Sequence, residues 1–223
     1  MRENGTRRRA APHFIDRATV IAAALEAFAE RGFHGASTRS IAALARTSLS
    51  NLYNYFGSKD EILEFVLEST SRELADSLET AVADAGGGPP GRLAAAVSAY
   101  VRFIVDKPQA SLVGITEFRY LAGERRAAVV EQRDRSEAVF RAVISEGRAA
   151  GDFDVLDVPS ATRAAVSLCN SMSAWYRPDG PHSADELVRL QVDLALGLVR
   201  SAQRAERSSP AHHRNPRRSI EAP

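Results

Sequence analysis

Apolar positions recur at helical spacing along almost the whole chain. Ile21, Leu25 and Phe28 stand at i, i+4 and i+7 among alanines and predict a first helix, which Gly32 and Gly35 stop. Two short helical units follow, at about 38–45 and about 49–55. Ser58 and Glu61 have capping-box spacing, with Ser at the N-cap and Glu at N3. They open a long helix whose Leu63, Leu67, Leu74 and Leu78 form one stripe, running to about Asp84. Gly86-Gly87-Gly88-Pro89-Pro90-Gly91 is the strongest loop signal in the chain. Helices are then expected at about 92–106, at about 109–121 after the break at Pro108, and at about 124–150. Gly151 to Asp154 reads as a turn, and Pro159 sits near the start of a helix over 160–177. Pro178 and Gly180-Pro181 end that helix, and a second capping box, Ser183 and Glu186, opens the last one at about 184–203.

The last helix has two apolar stripes: Leu187, Leu190, Leu194 and Leu198 on one side, Val188, Val192, Ala195 and Val199 on the other. A helix apolar on two sides has to be covered on two sides. Either it is a deeply buried core helix, or one face meets its own core and the other a partner subunit. No strand of useful length and no internal repeat is found. The fold class is therefore all-α, with a small three-helix head over 13–58 and a larger helical body over 59–203.

Charge adds an asymmetry. The net charge is only +1, but residues 1–60 carry a balance of +4, residues 61–203 one of −6 and residues 204–223 one of +3. A basic head on an acidic body is the pattern of a protein whose one end meets a polyanion. Residues 1–12, with Arg7-Arg8-Arg9, read as a disordered arm that is either solvated or reaches a minor groove, and 204–223 as a disordered basic tail. The single Cys169 excludes a disulfide framework within one chain. The N-terminal stretch has no apolar segment of secretory type, and the apolar runs are too short to span a membrane, so a cytoplasmic protein is expected.

The informative segment is Ser37 to Lys59, STRSIAALARTSLSNLYNYFGSK. Ile41, Ala42 and Ala45 allow two short helices to pack closely, and Leu52 and Phe56 point inward. The exposed face of the second helix presents Leu49, Ser50, Asn51, Tyr53, Asn54 and Tyr55. Asn and Ser can read base edges in a major groove and Leu can meet a thymine methyl, whereas Tyr hydroxyls and a Lys suit phosphates. Core packing does not explain two Tyr, two Asn and one Ser on so short a helix.

These residues resemble the helix-turn-helix of the TetR (tetracycline-repressor-like) family of bacterial regulators. The matching series is Phe28-Ala29-Glu30-Arg31-Gly32-Phe33, then Ile41-Ala42, then Leu52-Tyr53-Asn54-Tyr55-Phe56, then Ser58-Lys59. The resemblance implies that Thr38 and Arg39 approach phosphates and the groove edge, and that Ser48 caps the recognition helix. It puts Leu49, Ser50, Asn51 and Asn54 toward bases, and Tyr53, Tyr55 and Lys59 on phosphates. The chain departs in the turn, where Arg46 stands at the usual glycine and Thr47 at a small apolar residue. A left-handed conformation there costs a non-glycine residue about 1 kcal/mol. The family also implies a homodimer through the helices at about 160–177 and 184–203, operator DNA as partner, and an effector pocket in the body.

For that pocket the candidate lining is Tyr100, Phe103, Phe118, Tyr120, Phe140, Trp175 and Tyr176, with Arg119 and Asn170 as polar groups. Any single one of these aromatics is more simply read as core, but together they exceed what an alanine-rich core needs. Asn170 to Gly180 is similar to a subgroup with a Trp-Tyr-Arg/Lys-Pro-x-Gly element, whose members include regulators of fatty-acid and steroid breakdown that respond to acyl-CoA thioesters. That likeness implies a hydrophobic effector, an acyl-CoA among the candidates, with Trp175 stacking on it or packing in the dimer seam and Arg177 or Arg119 meeting a phosphate. An enzyme is disfavoured, because His13, His34, His182, His212 and His213 stand at element ends or in tails and form no catalytic or metal-ligand spacing. No cofactor or metal is expected. A regulator without an effector, or an activator, is the second reading.

Overall fold

The computed structural model describes residues 16–199, and these are helical throughout, with no strand among them. The expected arm over 1–12 and tail over 204–223 lie outside the described residues. Among the described residues nine helices run in order: α1 Arg17–Gly35, α2 Thr38–Leu44, α3 Leu49–Tyr53, α4 Lys59–Asp84, α5 Gly88–Asp106, α6 Pro108–Thr116, α7 Gly123–Ala150, α8 Val158–Trp175 and α9 Ala184–Val199. A single tighter turn, Phe118–Tyr120, joins α6 to α7. No described helix is long and apolar enough to cross a membrane.

In the head, Val20, Ala24, Ala27 and Phe28 of α1 pack on Ile41, Ala42 and Leu52, all close to fully buried. The small side chains let α2 and α3 approach closely. The head core does not end at residue 58: Ile62, Leu63, Val66 and Leu67 of α4 belong to it, as do Val113 of α6 and Leu121. The boundary between head and body thus falls inside α4, and a rigid helix shared by both cores mechanically joins them. The body core begins at Leu78 and gathers Leu93, Val97, Val101, Phe140, Ile144 and Met172, with α4 against α5 and α7, α5 against α9, and α8 against α7.

Local chemistry explains the element ends, including those placed differently in the sequence reading. The glycine- and proline-rich stretch is not all loop: Gly87 takes a left-handed φ of 80° as N-cap and Pro89 and Pro90 enter the first turn of α5, where a missing N–H does no harm. Pro108 opens α6 in the same way. The helix expected over 109–121 stops at Thr116. At the Ser58 cap, the Glu61 backbone N–H donates to Ser58 Oγ at 3.1 Å, but the Glu61 carboxylate accepts from Gly57 N–H at 2.6 Å. Gly32 interrupts α1 with φ 66° and ψ 171°, a conformation open almost only to glycine. Gly147 lets the Phe153 ring lie directly on α7, since a Cβ there would sit 2.1 Å from Phe153 Cδ2.

The stripes on α9 are regrouped. Leu187, Gln191, Ala195 and Val199 form the buried face. Leu190 and Leu194 are 49% and 53% exposed, and Trp175 at the end of α8 is 50% exposed. The outer face of α8 and α9 therefore carries large apolar groups that no described residue covers.

Candidate functional site: a helix-turn-helix head coupled to a body cavity

Ser37 caps α2 in a box with Ser40, and Ser48 caps α3 by accepting the Asn51 backbone N–H at 3.0 Å. The recognition helix is shorter than the expected 49–55: Leu49–Tyr53, followed by a turn at Asn54 and Tyr55. Arg39, Ser50, Tyr53, Asn54 and Tyr55 are exposed on this surface. The Tyr53 hydroxyl and Thr38 Oγ1 share a hydrogen bond of 3.1 Å, which ties α3 to the first turn of α2. Arg46 has φ 52°, so the left-handed conformation expected of the turn is present on a non-glycine residue. Its side chain is exposed and makes no ion pair among the described residues.

Three expected DNA-facing residues have inward roles. Leu49 is half-buried against the head core. The Asn51 amide donates to Thr47 Oγ1 at 3.0 Å across the turn. Lys59, expected on a phosphate, is engaged within the head. Its ammonium donates to the carbonyls of Phe33 at 2.6 Å and Ala36 at 2.9 Å, and lies 4.4 Å from the centre of the Phe33 ring. These carbonyls stand at the C-terminal end of α1, where no intrahelical donor follows, and Lys59 satisfies them.

Phe33 is also where the body grips the head. Its backbone N–H donates to Glu117 Oε2 at 2.7 Å, and Glu117 is 5% exposed. Its ring stacks on Tyr120 with centroids 5.4 Å apart, and Tyr120 meets His34 edge-on at 4.5 Å. Tyr120 thus belongs to the head–body junction and not to a pocket. Arg119 is exposed beside it, 5.0 Å from the Tyr120 ring centre.

The cavity lies deeper in the body, among α4, α5, α6, α7 and α8, with a volume of about 160 Å³. Of the expected lining, Tyr100, Phe103 and Asn170 are there, and the Tyr100 hydroxyl donates to Asn170 Oδ1 at 3.2 Å. Burial raises the Tyr100 pKa, so the phenol stays neutral. Phe140 is wholly buried behind Tyr100, with centroids 6.3 Å apart, and packs as core. Phe118 stands outside the wall, held between the guanidinium groups of Arg126 at 4.1 Å and Arg133 at 3.8 Å. Trp175 and Tyr176 are at the far end of α8; Trp175 faces outward and Tyr176 packs on the body core. Arg177 pairs with its neighbour Asp179 at 3.2 Å.

Sequence reading missed Ser111, Gly114 and Arg133 in the wall and Glu117 at the junction. A signal for α7 existed: Gln132 and Ser136 fall on the same face as Val129 and Phe140, polar residues at core spacing. Such positions are buried only for a reason.

A recognition helix presented by a small head, on a helical body that holds a cavity, defines a ligand-binding DNA-binding regulator. The chain belongs to the TetR family: residues 20–66 match the family described as bacterial regulatory proteins, tetR family, and residues 86–199 match the tetracyclin repressor-like C-terminal domain. It is a family of regulators, not of enzymes. The chain is 27% identical over 174 residues to the HTH-type transcriptional repressor KstR2 of Mycobacterium tuberculosis, covering 77% of this chain and 86% of that protein. It is 32% identical to the TetR family transcriptional regulator PfmR of Thermus thermophilus, with a TM-score of 0.73, covering 81% of this chain and 97% of that one. It also shares its fold, at 18% identity and TM-score 0.72, with AibR solved in complex with isovaleryl coenzyme A and operator DNA, covering 82% of this chain and 96% of that one.

Proposed function

We propose that this protein is a cytoplasmic, homodimeric repressor that binds operator DNA through α2 and α3 and releases it when a small effector with an apolar body fills the cavity. Arg39, Ser50 and Asn54 face the groove; Thr38, Tyr53, Tyr55 and Arg46 serve the phosphates. Leu49, Asn51 and Lys59 hold the head in shape. Two heads are brought to groove spacing by the outer face of α8 and α9, where Trp175, Leu190 and Leu194 are exposed.

The observation that carries this reading is the Phe33–Glu117 bond. Helix α6 lines the cavity with Ser111, Gly114 and Ile115, and Glu117, at its C-cap, holds the head by the Phe33 N–H. A ligand that shifts α6 must either carry α1 with it or give up a buried charge-assisted bond. Either way the ligand has different affinity for the two head positions, which is the thermodynamic requirement for release. A body without a cavity would favour a regulator lacking an effector; the cavity favours one with an effector. At about 160 Å³ it seats a short acyl or aromatic group.

The test is a band shift on the DNA upstream of the protein's own reading frame, with and without short-chain acids and their CoA thioesters. The reading expects a low-salt complex that one of these compounds dissolves. A complex that no compound dissolves removes the effector part of the reading. For the coupling, Glu117→Ala should still bind the ligand but answer it less at the operator; an unchanged response refutes the route.

A further inference from the structure

The cavity wall holds a positive charge that no described residue answers. Arg133 sits half-buried on α7 and donates one bond, from Nη2 to the Gly114 carbonyl at 2.6 Å. Its guanidinium lies over the Phe118 ring. No carboxylate is within ion-pair distance of it among the described residues, although two line the same cavity: Glu137 pairs with Arg141 at 2.7 Å, and Asp134 is exposed. Desolvation pulls the Arg133 pKa down, and the neighbouring Arg126 has the same sign. A half-buried guanidinium with unused donors and no counter-charge is unfavourable alone. In the wall of a cavity it forms a receptor for an anion.

We propose that the cavity binds a small monocarboxylate, its carboxylate on Arg133 and its apolar body against Leu74, Phe103, Ile115 and Val166. The planar guanidinium matches a carboxylate fork. Asp134 and Glu137 at the same wall disfavour a phosphate dianion, and a volume near 160 Å³ resembles cavities that take one benzene-sized group. The proposal rests on the effector reading above and names the chemistry of its ligand. It also gives Arg133 a second task. The group that takes the anion is the one that grips Gly114 and Phe118, on either side of Glu117, so ligation acts directly on the corner that holds the head.

The test is titration calorimetry on the full chain with isovalerate, hexanoate, benzoate and phenylacetate, the neutral amide of each, and the CoA thioester of each. At least one acid should bind, and its amide should bind more than about tenfold more weakly, the worth of a charge-assisted bond. Arg133→Met should weaken the acid about 10- to 100-fold, and Arg133→Lys should recover part of it. Thermal melts on each variant separate lost binding from lost folding, and Arg133→Lys conserves enough volume and charge to stay folded. Equal binding of acid and amide, binding of thioesters alone, no binding by any acid, or wild-type affinity in a folded Arg133→Met overturns the proposal. Repeating the operator band shift with the same compounds separates the two readings. An acid that binds without releasing DNA upholds the anion site and refutes the release mechanism. A thioester that releases DNA while no acid binds does the reverse.

Discussion

Replacing Arg46 by glycine should stabilise the protein. Arg46 is the one described non-glycine residue with positive φ, at 52°. A side chain in this region costs about 1–2 kcal/mol through its Cβ. Glycine removes that strain but gives the unfolded chain more freedom, which takes back about 0.4–1 kcal/mol. No ion pair among the described residues is lost with the side chain, which is exposed. The net gain is then about 0.5–1 kcal/mol, or about 2 °C in melting temperature for a chain of this size. Calorimetry on wild type, Arg46→Gly and Arg46→Ala reads it, because alanine removes the charge and keeps the strained Cβ. The reasoning is refuted if Arg46→Gly melts at or below wild type, or if Arg46→Ala gains as much as glycine. The same variants divide conformation from contact at the operator. If Arg46 meets a phosphate, both should lower the slope of log affinity against log salt by about 1. If only the turn geometry matters, Arg46→Ala should bind as wild type does.

Three further outcomes are expected. Gly147→Ala should destabilise the body by about 1–3 kcal/mol or more, since its Cβ would fall 2.1 Å from the Phe153 ring; denaturant unfolding reads it, and a neutral result would mean that Phe153 swings away freely. Cys169 is fully buried and its thiol is pushed up to about 12 by burial, so it should react with a thiol reagent only as fast as the protein opens; rapid reaction in native buffer would contradict the packing of α8. Leu194→Glu, on the outer face of α9, should shift the protein from dimer to monomer in sedimentation and sharply weaken operator binding while leaving the helical content intact; an unchanged dimer would move the interface elsewhere.

The architecture was readable where a local rule decides an outcome. The capping serines at 58 and 183 and the prolines at 108 and 159 mark helix ends that the structure keeps. Where two local rules compete, the reading failed: Pro89 and Pro90 signal a loop, yet proline is equally at home in a first turn, and the left-handed Gly87 decides for the helix. The α9 stripes failed for a related reason. Leucine and valine look alike to a periodicity, and only the packing of α5 and α8 selects Leu187, Gln191, Ala195 and Val199 as the inner face, with a glutamine among them.

The site divides in the same way, and the division has a physical cause. The proposed DNA interface is made of exposed polar groups on one short segment, so its candidates Arg39, Ser50, Tyr53 and Asn54 stand in a continuous stretch of sequence. The cavity and its link to the head are made by single residues from five helices, and their character comes from what surrounds them. Lys59 looks like any exposed lysine at a helix start until the C-terminal end of α1 brings two carbonyls to it. Glu117 and Arg133 look like ordinary surface charges on amphipathic helices, and burial alone makes one a latch and the other a receptor. Aromatic residues drew attention because they are large, but Phe140 and Tyr120 turned out to be core and hinge. On the proposed reading the effector is recognised by the charge that the body leaves unanswered, and such a charge has no signature in the chain until the helices close around it.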